Sequence, residues 1–220
     1  MTQNGFHTSP ATVPLAAERP LLITDADEVL LRFVDGFIRF LDGRGLALNL
    51  SSYRLHGNVL RQDDGTALID IEVTALLEEF RAELDWLDAV EHATEALAGL
   101  RGHLQTVVLS NVTPAQAPAR LRNLANLGFD FPLLVNSGAK GEAVRALSRR
   151  AGAPAFFMDD IPMHLASAAE SAPEVFRIHL IGDDRLKPLM APAPAAHLYA
   201  ANWRDAEAFI RARLPASLPR

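Results

Sequence analysis

The stretch "LLITDADEVLL", residues 21–31, sets an apolar run against three acids in four positions, Asp25, Asp27 and Glu28. A short aliphatic run that ends in polar residues reads as a strand buried on both faces, the kind found in a parallel sheet. Four later runs share this form: "QTVVLS" (105–110), "PLLVN" (132–136), "AFFMD" (155–159) and "RIHLIG" (177–182). Each is too short for a core helix. Helical patterns lie between the last four, among them 115–128, closed by Gly128, and 140–152, closed by Gly152; glycine commonly ends a helix. Strand alternating with helix implies right-handed crossovers and helices on both faces of the sheet. The expected fold is a doubly wound, Rossmann-like parallel α/β sheet.

One gap breaks the alternation, because about 80 residues separate the run at 20–24 from the one at 105–110, far more than a single crossover helix needs. The intervening sequence has helical patterns at 34–45 and 71–84 around a turn-rich piece, "SSYRLHGNVLRQDDG" (51–65). Residues 34–88 therefore read as a small, mainly helical cap, with a helix at 89–100 returning to the core formed by 19–33 and 89–220. Residues 1–18 show neither period 2 nor period 3.6 and read as a flexible lead-in. The segment 188–197 is a Pro/Ala-rich connector.

Composition limits the function. A net charge of −6 over 220 residues argues against nucleic acid as a partner, since binding to phosphates needs a basic face. The chain has no cysteine, which removes disulfides, thiolate nucleophiles and cysteine-ligated metals. No stretch approaches the roughly 18 to 20 apolar residues of a membrane span, and the N-terminus lacks the basic start and apolar core of a secretion signal. A cytoplasmic protein acting on a small molecule, with no membrane partner, is the expectation; "NLS" and "NVT" at 49 and 111 are then chance sequons. Oligomeric state has no signature in the sequence.

In an open α/β sheet, ligands bind at the carboxyl ends of the strands. The residues just beyond the apolar runs are Asp25 and Asp27, Ser110 and Asn111, Asn136 and then Lys140, and Asp159 and Asp160. Clustered carboxylates suit magnesium, a hard cation that takes a few protein oxygens and a substrate phosphate. One carboxylate can then attack a phosphoryl group, a second can protonate the leaving oxygen, and hydroxyl and ammonium groups can hold the phosphoryl oxygens. Lys140 is one of only two lysines against 19 arginines, and a compact ammonium suits a point contact to phosphate.

This ordered set resembles the motifs of the haloacid dehalogenase-like hydrolases. Asp25-Ala26-Asp27-Glu28-Val29 is similar to their first motif, Ser110 in "TVVLSN" to the second, Lys140 at a helix start to the third, and "FFMDD" with Asp159 and Asp160 to the fourth, with gaps of 85, 30 and 20 residues. The resemblance covers residues 20 to about 185. It implies a nucleophilic, metal-bound Asp25; Asp27 as general acid and base, with its carbonyl on the metal; Ser110, Asn111 and Lys140 on the phosphate; Asp160 on Mg2+, and Asp159 in its outer shell. Asp27 also implies the phosphatase branch, because the dehalogenases lack a carboxylate there. The implied function is a magnesium-dependent phosphatase for a small phosphorylated metabolite, working through an aspartyl-phosphate. The alternatives are a phosphomutase using the same intermediate and a non-catalytic binding protein on the same fold. The sequence departs from the pattern at Glu28, where Gly is common, and at Ile161 and His164 after the acidic pair. Tyr53, Arg54, His56, Arg61 and Trp86 are candidates for substrate contact in the cap, whereas His103, His179 and His197 read as surface or sheet-edge residues.

Overall fold

The computed structural model describes residues 5–215. Its centre is β2 (Leu21–Thr24), all four residues of which are buried. This strand pairs in parallel with β5 (Gln105–Ser110) on one side and β7 (Ala155–Asp159) on the other. The full order is β1 (Phe6–His7), β6 (Leu133–Val135), β5, β2, β7, β8 (Phe176–Leu180) and β9 (Leu198–Ala200), every pairing parallel. From β2 the chain builds outward to β5 and β6, then crosses back to β7 and builds the other way. That reversal places a crevice at the carboxyl ends of β2, β5 and β7, where such sheets bind ligands.

Period-2 alternation divides the two faces. Leu21, Ile23, Val107, Leu109, Ala155 and Phe157 pack under α5 (Gly141–Ala151) and α6 (Pro162–Ser171). Leu22, Val108, Phe156 and Met158 face α3 (Ala93–Leu100), α4 (Ala117–Asn126) and α7 (Trp203–Arg211). Helix α7 is capped by the Asn202 side chain, which accepts from the backbone N–H groups of Arg204 and Asp205. The Trp203 indole then donates to Val29 O at 2.7 Å, tying this last helix to the turn after β2.

The insert between β2 and β5 contains α1 (Phe33–Asp42), an antiparallel hairpin of β3 (Leu46–Leu48) and β4 (Val59–Arg61), and α2 (Asp70–Ala82). Its interior is aromatic: Phe80 lies 5.1 to 5.3 Å, centre to centre, from Phe33, Phe37 and Phe40. Aromatic pairs at this spacing add stabilisation beyond their buried area. The three-residue strands of this hairpin carry too little alternation to show in the sequence.

The lead-in also differs from expectation over the described residues. Phe6 and His7 pair with Leu133 and Leu134 as an edge strand, Ser9 caps a short 3-10 turn, and Val13 is buried among α5 and the sheet. Two strand residues cannot display a period, and their order comes from the edge they cover. Residues 1–4 lie outside the described range. None of the described helices is long and apolar enough to cross a membrane.

Candidate active site

Register brings the first motif to the fourth. Thr24 stands opposite both Val108 and Met158, so one further step carries Asp25 beside Asp159. The Asp25 N–H donates to Met158 O at 2.9 Å, and the Ala26 N–H donates to Asp25 Oδ1 at 2.7 Å. The chain then turns sharply, with the N–H groups of Leu30 and Leu31 both donating to Ala26 O. Glu28 sits in this turn at φ 56°, the left-handed region that glycine occupies without strain. Its carbonyl accepts from Gly182 N at 2.6 Å, and a Cβ on Gly182 would come within 2.8 Å of that oxygen. The Glu28 side chain compensates for the strain by accepting from Val34 N at 2.7 Å, one of the N–H groups that a helix start leaves unpaired. Its other oxygen is buried with no hydrogen-bond partner among the described residues. Burial pushes the Glu28 carboxyl up to about 8, against the Val34 N–H, with Asp183 and Asp27 adding to the rise.

Lys140 precedes α5 and is 1% exposed. It reaches its place because Gly141 lets α5 approach α6 closely: a Cβ there would lie 2.2 Å from Ser167 O. The ammonium donates to Asp25 Oδ1 and to Asp159 Oδ2, both at 2.8 Å. Asp159 Oδ1 accepts from the Ile161 N–H at 2.9 Å, and Asp160 Oδ2 accepts from the Tyr53 hydroxyl at 2.5 Å. Asp25, Asp159 and Asp160 are all buried, and each offers an oxygen within 4.8 Å of the others. Burial raises all three carboxyls, that of Asp25 to about 6 against the pull of Lys140. Three acids facing one ammonium leave an excess of negative charge in a dry place. An all-oxygen set of this spacing fits a hard divalent cation such as Mg2+, and Asp25, Asp159 and Asp160 are the residues that could hold it.

Asp25, Asp27, Asn111, Lys140 and Asp160 line one cavity of about 210 Å³, with Glu28, Arg81 and His164 also on its wall. Ser110 is buried at the end of β5, next to Asn111, and Asp159 is fully buried beneath Lys140. The Asn111 side-chain amide donates to Gly138 O at 3.0 Å and its Oδ1 accepts from Asn136 at 2.7 Å. His164 Nε2 lies 3.4 Å from the same amide. Burial, with help from Lys140, lowers the imidazole to about 4, so His164 is a neutral wall of the site.

Two participants leave no distinct signal in the sequence. Arg120 on α4 is fully buried, and its Nη2 lies 2.5 Å from Asp27 Oδ1. The angle is not that of a hydrogen bond, and none of the three guanidinium nitrogens has another partner among the described residues. Asp27 is thus the counter-charge for a buried cation. Arg81, from α2, is the second. In both cases a lone Arg in a helical pattern reads as part of a solvated face, and only tertiary placement shows otherwise.

Of the five residues expected to contact substrate from the insert, Tyr53 alone lines the cavity, joined by Leu50, Ser52 and Leu55. His56 instead bonds the Thr74 hydroxyl at 2.9 Å, Arg61 pairs with Glu72, and Arg54 is exposed. Trp86 is 39% exposed, packed edge-on against Phe80 with Arg39 over its ring. His179 is no sheet-edge residue: it is fully buried in β8, with Nε2 2.8 Å from Asp160 O and Nδ1 accepting from Ala193 N. It supports the backbone of the acidic pair.

No protein-family model matches the sequence, and no curated protein matches it. Solved structures do. A haloacid dehalogenase-like protein of unknown function from Agrobacterium tumefaciens superposes with a TM-score of 0.58 at 15% identity, over 87% of this chain and 97% of that one. A subfamily IA hydrolase of the same superfamily from Geobacter sulfurreducens gives 0.57 at 18% identity, over 90% and 100%. A proposed beta-phosphoglucomutase from Thermotoga maritima gives 0.52 at 15% identity, over 89% and 100%. The chain therefore has the fold of the haloacid dehalogenase-like proteins.

Proposed function

We propose that this protein is a magnesium-dependent phosphatase of the haloacid dehalogenase-like superfamily, hydrolysing a small phosphorylated metabolite through an aspartyl-phosphate on Asp25. The observation that carries this reading is the buried Asp25–Lys140–Asp159–Asp160 cluster at the strand ends, with a second carboxylate, Asp27, two residues from the first.

Each residue has a task its position permits. Burial holds the Asp25 carboxyl near 6, so at neutral pH it is mostly ionised and able to attack phosphorus. The Asp25 oxygen forms the new P–O bond as the ester P–O bond breaks, and the departing oxygen takes a proton from Asp27, which enters this step protonated on Oδ2 and leaves it as the carboxylate paired with Arg120. Asp27 Oδ1 faces Arg120, which leaves Oδ2 for this work. In the second half, Asp27 takes a proton from water as the water oxygen attacks phosphorus, and Asp25 is released with inorganic phosphate. Lys140 has three N–H donors, two of them on Asp25 and Asp159; the third, with Ser110 and Asn111, holds phosphoryl oxygens. Mg2+ held by Asp25, Asp160, the Asp27 carbonyl and, in its outer shell, Asp159 would offset the negative charge of carboxylates and phosphate when bound. The insert acts as a cap: Tyr53 reaches the acidic pair from it, and closure of this kind excludes water and selects substrate.

The test is phosphate release from a panel of phosphorylated sugars, amino acids, nucleotides and short organic acids, in magnesium and in chelator, for wild type and Asp25→Asn. Release that requires both Asp25 and magnesium supports the reading. No release from any compound, with magnesium still bound, would overturn it in favour of a binding protein.

A further inference from the structure

The cavity wall carries two positive groups, Lys140 and Arg81, and a third, Arg120, lies buried behind it. Lys140 is engaged by two carboxylates, and Arg120, just behind Asp27, is matched to that one. Arg81 has no carboxylate partner among the described residues. Its guanidinium carbon sits 5.6 Å from the centre of the Phe33 ring, which also lines the cavity. Elsewhere in the insert Arg39, Arg44 and Arg61 pair with Asp88, Glu79 and Glu72. An unmatched guanidinium facing a cavity already rich in acids repels no substrate anion and attracts one.

The rest of the wall defines what lies beside that anion. Phe33, Val34, Leu50, Leu55, Ile161 and Leu186 are apolar. The volume of about 210 Å³ is below the roughly 300 to 1,000 Å³ of sites for drug-sized ligands, so the cavity suits a phosphoryl group on a short carbon chain. A planar guanidinium fork matches a carboxylate in shape and hydrogen-bond direction, and a carboxylate takes less space than a second phosphoryl group.

We infer that the substrate is a short phosphorylated carboxylic acid, whose phosphoryl group meets Asp25 and Lys140 and whose carboxylate is held by Arg81 against Phe33. This inference rests on the phosphatase reading above and narrows its substrate class. Arg81 is then the specificity-determining residue.

The test compares kcat/KM for matched pairs that differ by the carboxylate: O-phosphoserine against phosphoethanolamine, and 2-phospholactate against isopropyl phosphate. A charge-assisted contact worth about 1.5 to 3 kcal/mol predicts a preference of about tenfold or more for the acid. Arg81→Met should bring that ratio close to one, and Arg81→Lys should restore part of it. Equal rates within each wild-type pair, an unchanged ratio in Arg81→Met, or a preference for a bisphosphate of the same length over the acid would overturn the inference. A binding measurement separates its failure from failure of the phosphatase reading. Thermal stabilisation by phosphonoacetate should exceed that by ethylphosphonate in wild type and in Asp25→Asn, and the difference should vanish in Arg81→Met. If no ester is hydrolysed yet that pattern holds, the reaction is misassigned and the anion site stands. If neither pattern is seen, the anion site falls.

Discussion

Replacing Asp27 by Asn should destabilise this protein out of proportion to the size of the change, because it strands Arg120. The guanidinium is fully buried, and its one charged partner among the described residues is the Asp27 carboxylate at 2.5 Å. Breaking a buried pair by neutralising one member costs about 3 to 5 kcal/mol, since the other charge stays uncompensated. The Asp27 side chain is 29% exposed, so solvent screens part of the interaction and about 2 to 3 kcal/mol is the better expectation. At about 2 to 4 °C per kcal/mol for a chain of this size, the melting temperature should fall by roughly 5 to 10 °C. Removing the cation instead, in Arg120→Met, leaves an acid that water can reach and should cost less. The double variant Asp27→Asn/Arg120→Met should recover more than half of the single-variant loss. Calorimetric melting of the four proteins in chelator at neutral pH closes the cycle. A melting temperature for Asp27→Asn within about 1 °C of wild type, which corresponds to well under 1 kcal/mol, would mean that Arg120 does not depend on Asp27 for its charge balance, as would additive losses in the double variant.

Other outcomes follow from the same geometry. The Glu28 carboxyl titrates near 8 in the folded chain against 4.5 for its ordinary value, so the folded state holds its proton more tightly than the unfolded one. Its contribution to stability is complete below about 4.5 and is lost as pH rises through about 8; Glu28→Gln should flatten that part of the stability curve, measured by denaturant melts from acid to mild alkali. Gly141→Ala forces a Cβ to within 2.2 Å of Ser167 O, and should lower stability by about 2 kcal/mol or more while reducing phosphate release by displacing Lys140. Tyr53→Phe keeps the ring but removes the hydroxyl from Asp160; hydrogen exchange at 49–58 should quicken, with a loss of about 1 to 2 kcal/mol in overall stability.

The parts of this fold that were legible in the sequence are those where local pattern and tertiary position coincide. Leu21–Thr24, Gln105–Ser110 and Ala155–Asp159 are buried on both faces, so their apolar runs mark them as strands, and the change to polar residues marks the carboxyl ends where the site lies. The Asp25, Lys140 and Asp160 positions followed from that rule. The pairing of Phe6–His7 with Leu133–Leu134 and the hairpin at 46–48 and 59–61 involve too few residues to show a period. The strand Leu198–Ala200 and the helix Trp203–Arg211 likewise lie beyond the last run that was read. Arg120 and Arg81 were hidden for another reason. Burial of a charge depends on what the rest of the chain places around it, and the i, i+3, i+4 pattern of a helix does not report which of its polar residues the fold turns inward. His179 illustrates the same limit in a strand, where its buried ring supports the Asp160 carbonyl.

Covalent catalysis by Asp25 is open to rapid acid quench during turnover, followed by peptide mass analysis. The account predicts the mass gain of one phosphoryl group on the peptide containing Asp25, formed with substrate and magnesium and absent in Asp25→Asn. Turnover that continues with no phosphoryl group on that peptide at any quench time, or one carried by another residue, would contradict it.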